Sequence, residues 1–194
     1  SRFGGSKLET EIDGFPLYIR ALRRMQAFAG FPSYLVAGPG HMAEAAPEYG
    51  VTPVENRDPR KGISHSLKLG LHRALEDNPG LKGVLFSVCD QPWLDSATIQ
   101  QIFNTAALHP GCIVCAGRGQ ERGNPVLWDR KYFPELMNLE GDRGGKQIME
   151  KYKEKVRVVQ AGEKELRDID VREDLPEAGG IKKRRGDENY GSET

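Results

Sequence analysis

Apolar residues along this chain recur at two spacings, and the two spacings alternate. Positions three and four residues apart predict helices over residues 15–25, 43–49, 64–75, 96–107, 132–137 and 144–152. Short runs rich in strand-forming residues predict strands over residues 33–37, 52–55, 83–88, 112–116, 125–128 and 156–159. Strands separated by helices of this size favour an α/β fold. We therefore expect a three-layer α/β/α sandwich with a mostly parallel, Rossmann-like sheet.

Length and composition fit one globular domain followed by a polar tail. A chain of 194 residues is long enough to bury a core without disulfides. After Leu175 apolar residues become rare, and such a segment gains too little from burial to offset its loss of conformational entropy. We expect a domain over residues 1–176 and a mobile charged tail over residues 177–194. The basic run at 182–185 has acidic neighbours, which is typical of a solvated tail.

Charge and hydropathy narrow the range of partners. The formal net charge is zero, so no overall field recruits nucleic acid or an anionic membrane. No apolar window approaches the ~20 residues that a bilayer span requires. Two of the three cysteines, Cys112 and Cys115, have C-x-x-C spacing, but positions three apart in a strand face opposite ways. The pattern indicates reduced, buried thiols and a cytoplasmic protein that binds neither nucleic acid nor membrane.

Asp90 ends a predicted strand and is followed by Gln91 and Pro92. In parallel sheets ligands collect outside the carboxyl ends of the strands, and an Asp there can coordinate a divalent cation that carries phosphates. The alternative is that Asp90 caps the next helix. Asp95 and Ser96 are nearer caps, which leaves Asp90 without an evident structural role and favours the metal site.

Two glycine-containing loops supply groups that bind phosphate. Arg2 and Lys7 flank Gly4, which places two cations around a loop whose backbone amides are accessible to a polyphosphate. A second loop, from Gly62 to Ser66, opens a predicted helix and offers donors to a nucleotide. A helix capped by Ser64 is the structural alternative for this loop. Combined with Asp90, the two loops indicate a metal–nucleotide site.

Six short motifs follow one another along residues 2–175. They are Arg2-Phe3-Gly4-x-x-Lys7, Gly62-Ile63-Ser64-His65-Ser66-Leu67, Cys89-Asp90-Gln91-Pro92, Gly123-Asn124-Pro125-Val126, Gly141-Asp142-Arg143-Gly144 and Asp168-Ile169-Asp170-Val171-Arg172-Glu173-Asp174-Leu175. In this order they resemble MobA-like nucleotidyltransferases, which have the nucleotide-diphospho-sugar transferase fold. Within that family the chain is most similar to molybdenum cofactor cytidylyltransferases.

The resemblance implies transfer of a nucleotidyl group from a nucleoside triphosphate to a phosphorylated acceptor, with release of pyrophosphate and with Mg²⁺ on the phosphates. It implies CTP and molybdopterin or molybdenum cofactor as substrates, and a molybdenum hydroxylase as the protein that receives the product. Arg2 and Lys7 would neutralise the triphosphate. The metal would be held by Asp90 together with Asp168 or Asp170.

The resemblance also implies roles for the remaining motif residues. Gly4, Gly62, Ser64 and Ser66 would bind the nucleotide, and a side chain at Gly62 would intrude on the base. The acceptor pterin and its phosphate would lie toward Asn124, Asp142 and Lys146. Many relatives have histidine at the position of Asn124, and an amide cannot carry the proton that a histidine could.

One family element is absent before Ser1, a buried strand that leads into Leu-Ala-Ala-Gly or Leu-Ala-Gly-Gly. Loss of a central strand would expose unpaired backbone on its neighbours, so we expect the native protein to have about ten more residues. Three other functions fit the same residues: guanylyl or adenylyl transfer, cytidylyl transfer to another phosphate acceptor, and nucleotide binding without catalysis by a cofactor-delivery protein. A dinucleotide-binding domain is disfavoured because G-x-G-x-x-G is absent.

Overall fold

The strands form three sheets in the computed structural model, which describes residues 7–169. A hairpin pairs β1 (Glu11–Ile12) with β2 (Phe15–Pro16), and β3 (Tyr34–Ala37) pairs in parallel with β4 (Thr52–Glu55). The largest sheet has the order β5-β7-β6-β8 and consists of β5 (Gly83–Phe86), β7 (Glu121–Asp129), β6 (Ile113–Arg118) and β8 (Val156–Gln160). Strand β7 runs antiparallel to β5 and β6, whereas β6 and β8 are parallel.

The helices within residues 7–169 are α1 (Leu17–Gln26), α2 (His41–Ala45), α3 (Ile63–Asp77), α4 (Ser96–Leu108), α5 (Phe133–Met137) and α6 (Lys146–Lys151). Helices α3 and α4 pack on opposite faces of the largest sheet. On β6, Ile113 packs in the core cluster that contains Leu71 of α3, while its neighbour Val114 packs with Ile102 of α4. Because side chains alternate along a strand, this distribution means that β6 is buried on both faces. The predicted three-layer α/β/α architecture is confirmed.

The C-x-x-C cysteines lie on opposite faces of the sheet, as the extended pattern predicted. Cys112 packs in the cluster on the α4 face, Cys115 packs on the α3 face, and both are free and buried. Burial raises the pKa of the Cys115 thiol to about 11, so it stays protonated at neutral pH. The two thiols are therefore core side chains, in agreement with the sequence.

Strand pairing within residues 7–169 does not join the β3–β4 pair to the largest sheet. All four residues of β3 and all four of β5 are only half-buried, unlike the fully buried apolar run of β6. Helix α3 packs against both strands. A Cβ on Gly70 would lie 3.0 Å from Val36 of β3, and Leu67 packs against the same core cluster as Phe86 of β5. Helix α3 therefore bridges the β3–β4 pair and the largest sheet.

Most predicted elements are present with shifts of a few residues at their ends. The helix predicted from residue 15 begins at Leu17, because Phe15 and Pro16 form β2. The hairpin itself was not predicted. Its turn, Asp13-Gly14, has φ of 52° and 78°, and Asp-Gly is the signal for such a two-residue turn. Asp95 caps α4 by accepting from the Ala97 N–H at 2.9 Å, as expected.

None of the helices within residues 7–169 is long and apolar enough to cross a membrane. The longest of them, α3, has 15 residues and carries charged side chains along its length.

Gly145, at the start of α6, is the subject of a stability prediction. A Cβ there would come within 3.0 Å of the Trp128 ring, which is 2% exposed. Because a buried indole cannot move without disturbing its neighbours, Gly145→Ala is expected to lower the free energy of unfolding by about 1–3 kcal/mol, measured by urea titration. Gly144→Ala is the matched control, since nothing lies within 4 Å of a Cβ there. Equal losses in the two variants would contradict the prediction.

Candidate active site

Asp90 lies in the loop between the end of β5 and the start of α4. Its backbone carbonyl accepts from the Ile169 N–H at 3.0 Å, which fixes the loop to the segment that follows β8. The strand-to-helix connection places the carboxylate at the carboxyl end of β5. This is the position at which open α/β sheets collect ligands.

The two oxygens of the Asp90 carboxylate have different surroundings. Oδ2 accepts from Lys7 Nζ at 2.8 Å, and the side chains of Lys7 and Asp90 are 27% and 24% exposed. Oδ1 is buried and has no hydrogen-bond partner within residues 7–169. A buried carboxylate oxygen without a donor is costly unless another cation or donor reaches it. The Asp90 carboxylate is therefore suited to bind a cation through Oδ1.

Asp168 is held next to the Asp90 loop. The buried Gln91 side chain donates from Nε2 to Asp168 Oδ1 at 2.9 Å and to the Leu166 carbonyl at 3.3 Å. Residues 7–169 contain no cluster of three or more His, Cys, Asp or Glu side chains that could hold a metal ion. Mg²⁺ often uses one or two carboxylates and completes its shell with substrate phosphates and water. A metal site built on Asp90 and Asp168 would be of this kind.

The Gly62 loop is built differently from the capped helix considered above. Gly62, at φ +84°, is the N-cap of α3, and no side chain caps this helix end. Ser64 lies within the first turn, is buried, and donates its backbone N–H to the Gly141 carbonyl at 3.1 Å. The alternative in which Ser64 caps the helix is therefore wrong, because the cap position is two residues earlier.

Asn56 is a further candidate site residue that the sequence did not reveal. Its side chain is 3% exposed and donates from Nδ2 to Ser66 Oγ at 3.0 Å, while its Oδ1 accepts from the Asp58 N–H at 2.9 Å. Asn56 directly follows β4, so a polar residue after a strand was the available signal. It fixes the Ser66 hydroxyl as an acceptor, which leaves the hydroxyl proton for another partner.

The structure brings the Gly62 loop together with the loop that carries Asp142. A Cβ on Gly62 would come within 3.0 Å of the Gly141 backbone and of Asp142 Oδ1. The close approach of the Gly141 loop is thus a reason for glycine within the protein itself. Lys146 begins α6 a few residues further on and is exposed. Gly62, predicted to bind the nucleotide, therefore lies next to Asp142, predicted to bind the acceptor.

Asn124 lies in β7 before a cis peptide bond to Pro125. Phe86, the last residue of β5, pairs with Val126 of the antiparallel strand β7. Asn124, two residues earlier in β7, therefore lies beyond the carboxyl end of β5. It lies at the same end of the sheet as the loop that carries Asp90. Arg2, Gly4 and Asp170, the other predicted site residues, lie outside the described residues.

Burial changes the pKa of two groups near Asp90, the Cys89 thiol and the Arg24 guanidinium. Loss of hydration, and secondarily the Asp90 charge, raise the pKa of the Cys89 thiol to about 11. The thiol is therefore neutral and adds no negative charge to the site. Burial lowers the pKa of the Arg24 guanidinium from its ordinary value, yet an arginine remains charged at neutral pH.

Gly62→Ala is expected to destabilise the protein through two separate effects. The backbone of Gly62, at φ +84° and ψ 177°, lies in a region that is essentially restricted to glycine and costs another residue about 1–3 kcal/mol, and the clash with Gly141 adds about 1–3 kcal/mol. Gly50→Ala is the control for positive φ in open space, because Gly50 has φ +72° and ψ 21° and nothing lies within 4 Å of a Cβ there. Urea titration of both variants gives the difference. Equal losses would mean that the Gly62 and Gly141 loops do not touch in solution.

Known proteins resemble this chain in sequence and in fold. Residues 1–156 match the family model of the MobA-like NTP transferase domain. Rv0371c from Mycobacterium tuberculosis H37Rv is 23% identical, with 88% of this chain and 86% of that chain covered and a TM-score of 0.68. Its crystal structure in complex with manganese is also similar, at 23% identity, 82% and 83% coverage and a TM-score of 0.59.

A more distant solved structure is that of CMP:2-keto-3-deoxy-manno-octonic acid synthetase complexed with CTP, at 10% identity, 83% and 87% coverage and a TM-score of 0.62. This similarity places the chain in the nucleotide-diphospho-sugar transferase type of α/β fold. No curated protein is similar enough in sequence to match. The match over residues 1–156 shows that this chain belongs to the MobA-like NTP transferase domain family, a family of nucleotidyltransferases.

Proposed function

We propose that the protein transfers a cytidylyl group from CTP to the phosphate of molybdopterin or its molybdenum-loaded form and releases pyrophosphate. The observation that carries the proposal is the Asp90 carboxylate, which has one oxygen on Lys7 and a second, buried oxygen without a partner within residues 7–169. The six ordered motifs support the molybdopterin acceptor. The CTP complex of the structurally similar synthetase supports cytosine as the base.

Asp90 and Asp168 would hold the divalent cation, and Asp170 is a further candidate ligand. A divalent cation bound there supplies positive charge for the triphosphate. Mg²⁺ is the proposed physiological ion, and Mn²⁺ is a suitable probe because the crystal structure of Rv0371C contains manganese. Gln91 orients Asp168 through its 2.9 Å hydrogen bond.

Lys7 and Arg2 would bind the triphosphate. The Lys7 ammonium lies 2.8 Å from Asp90 Oδ2, so any phosphate carried next to Asp90 lies within reach of it. Pyrophosphate leaves with more negative charge than it has in the bound nucleotide, and fixed cations stabilise that charge as it develops.

The reaction requires no nucleophile from the protein. An oxygen of the acceptor phosphate forms a bond to the α-phosphorus of CTP, and the bond from the α-phosphorus to the bridging oxygen of the β-phosphate breaks. The electron pair of that bond leaves with pyrophosphate, so no oxidant or reductant is involved. The role of the protein is to align the acceptor with the leaving group and to neutralise charge.

The two adjoining loops would receive the remaining parts of the substrates. Gly4, Gly62, Ser64 and Ser66 are the proposed nucleotide residues; the Ser64 N–H is already used by Gly141, so the Ser66 hydroxyl proton is the donor that we expect to contact CTP. Asn124, Asp142 and Lys146 are proposed on the acceptor side. Lys146 would bind the acceptor phosphate, and a molybdenum hydroxylase would receive the product.

Pyrophosphate release tests the proposal directly. CTP, GTP and ATP would each be supplied with Mg²⁺ or Mn²⁺ and with molybdopterin or its molybdenum-loaded form, using this chain and a version extended by an amino-terminal strand. Release with CTP is the expected result. Release with GTP or ATP instead would overturn the base assignment and retain the reaction. Nucleotide binding without release from either version would favour a non-catalytic cofactor-delivery protein.

A further inference from the structure

Arg24 occupies a position in α1 where an apolar residue would be expected. It follows Leu17 by seven residues, which places both on the same face of the helix. Leu17, Tyr18 and Leu22 are the other buried residues of this helix, and Arg24 is only 9% exposed. The preceding residue, Arg23, is exposed and lies over the Phe15 ring at 3.8 Å, which is the usual surface behaviour of an arginine.

The Arg24 guanidinium contacts the two peptide carbonyls that follow Asp90. Nη2 donates to the Gln91 carbonyl at 2.9 Å and to the Pro92 carbonyl at 3.3 Å. Nη1 is buried and has no partner within residues 7–169. One turn earlier, Arg20 Nη2 reaches the same Pro92 carbonyl at 3.5 Å. Helix α1 thus holds the backbone of the Asp90 loop through the side chain of Arg24. Among the described residues, Arg24 makes no ion pair with a carboxylate.

A buried cation without a carboxylate partner is a poor choice for stability alone. Its desolvation is not balanced by pairing, and an apolar side chain of similar volume in such a place is often equally or more stable. A guanidinium, however, has several donors in a fixed plane and is well suited to bridge two carbonyls. Residues that break the local pattern in this way concentrate at functional sites.

The loop that Arg24 holds contains one predicted metal ligand, Asp90, and is hydrogen-bonded to the other, Asp168. Asp90 immediately precedes Gln91, and the Gln91 side chain donates to Asp168 Oδ1 at 2.9 Å. Movement of the Gln91 backbone would therefore displace Asp90 directly and Asp168 through the amide. We propose that Arg24 is a positioning residue of the nucleotidyl-transfer site, and that it sets the relative placement of Asp90 and Asp168 toward a divalent cation. This inference rests on the proposed function.

Binding of Mn²⁺ alone, measured by loss of the free-ion EPR signal, tests this role without turnover. Arg24→Met keeps the length of the side chain and removes the donors, and is expected to weaken Mn²⁺ binding 10- to 100-fold, as is typical when a residue that orients metal ligands is lost. Thermal stability should be unchanged or higher, because an unpaired buried charge has been removed. Arg23→Met is the matched control and should bind Mn²⁺ as the wild type does. A stable Arg24→Met protein with wild-type Mn²⁺ affinity would overturn the proposal.

A second variant decides the matter if Arg24→Met does not fold. Arg24→Lys retains the charge but cannot bridge both carbonyls with a planar group, so Mn²⁺ affinity should still fall at least about threefold. Wild-type affinity in Arg24→Lys would then overturn the proposal.

If the wild-type protein itself binds no Mn²⁺, the proposed function fails, and hydrogen exchange of the Ile169 amide tests the loop. Faster exchange in Arg24→Met than in Arg23→Met supports positioning of the Asp90 loop, whereas equal exchange overturns it.

Discussion

Asp90→Asn is expected to abolish detectable pyrophosphate release while the protein remains folded. The amide has the shape of the carboxylate but lacks its charge, so the buried Oδ1 position no longer attracts a divalent cation. Loss of a cation that neutralises phosphate costs several kcal/mol of transition-state stabilisation, or roughly 1000-fold in rate. The amide oxygen still accepts from Lys7, so the free energy of unfolding should change by about 1 kcal/mol or less. Initial rates of release and urea titration measure the two quantities.

Asp13→Asn provides the control for the loss of one carboxylate. Asp13 is 76% exposed and has φ 52°, a conformation that asparagine tolerates well. It makes a surface ion pair with Arg20 and should affect neither the rate nor the fold. An Asp90→Asn protein that retains the wild-type rate would remove Asp90 from the metal site.

Lys7→Met is expected to weaken CTP binding about 10- to 100-fold when a divalent cation is present. A hydrogen bond to a charged group contributes about 1.5–3 kcal/mol, and Lys7 is the described cation next to Asp90. Titration calorimetry with CTP measures the affinity. The loss should shrink as ionic strength rises, because salt screens a partly exposed cation.

Lys153→Met is the control for general loss of positive charge, since Lys153 is exposed and lies just before β8, at the end of the sheet opposite the carboxyl end of β5. It should bind CTP as the wild type does. If Lys7→Met lowers the melting temperature but leaves the CTP affinity unchanged, the role of Lys7 is structural only. That outcome would remove Lys7 from the phosphate-binding residues and leave Asp90 to be tested separately.

Several features of the site could be predicted because they depend on residues close together in the chain. Strand β4 lies at residues 52–55 as predicted, and α4 starts at Ser96 after its Asp95 cap. Asp90 could be identified because a carboxylate after a strand and before a capped helix has few other roles. The hairpin at Asp13-Gly14 carries an equally local signal in the Asp-Gly pair itself.

Other features could not be predicted because the partners are far apart in the chain. Gly62 requires its small size because of Gly141, and Ser64 donates to Gly141 instead of capping α3. The carbonyl partners of Arg24 are 67 and 68 residues away, so the sequence showed only a charged residue on an amphipathic helix. The antiparallel direction of β7 likewise depends on pairing with β5 and β6.

Sequence alone was enough to predict the alternation of helices and strands, the position of Asp90 after β5, and the family that the ordered motifs indicate. These follow from periodicity and from residue types over short spans, where each residue constrains its immediate neighbours. The three-dimensional structure was needed to show that Lys7 and Asp168 lie beside the Asp90 loop, that the Gly62 and Gly141 loops touch, and that Arg24 holds the Gln91 backbone. Such contacts depend on how separate elements pack, and packing is a property of the whole core.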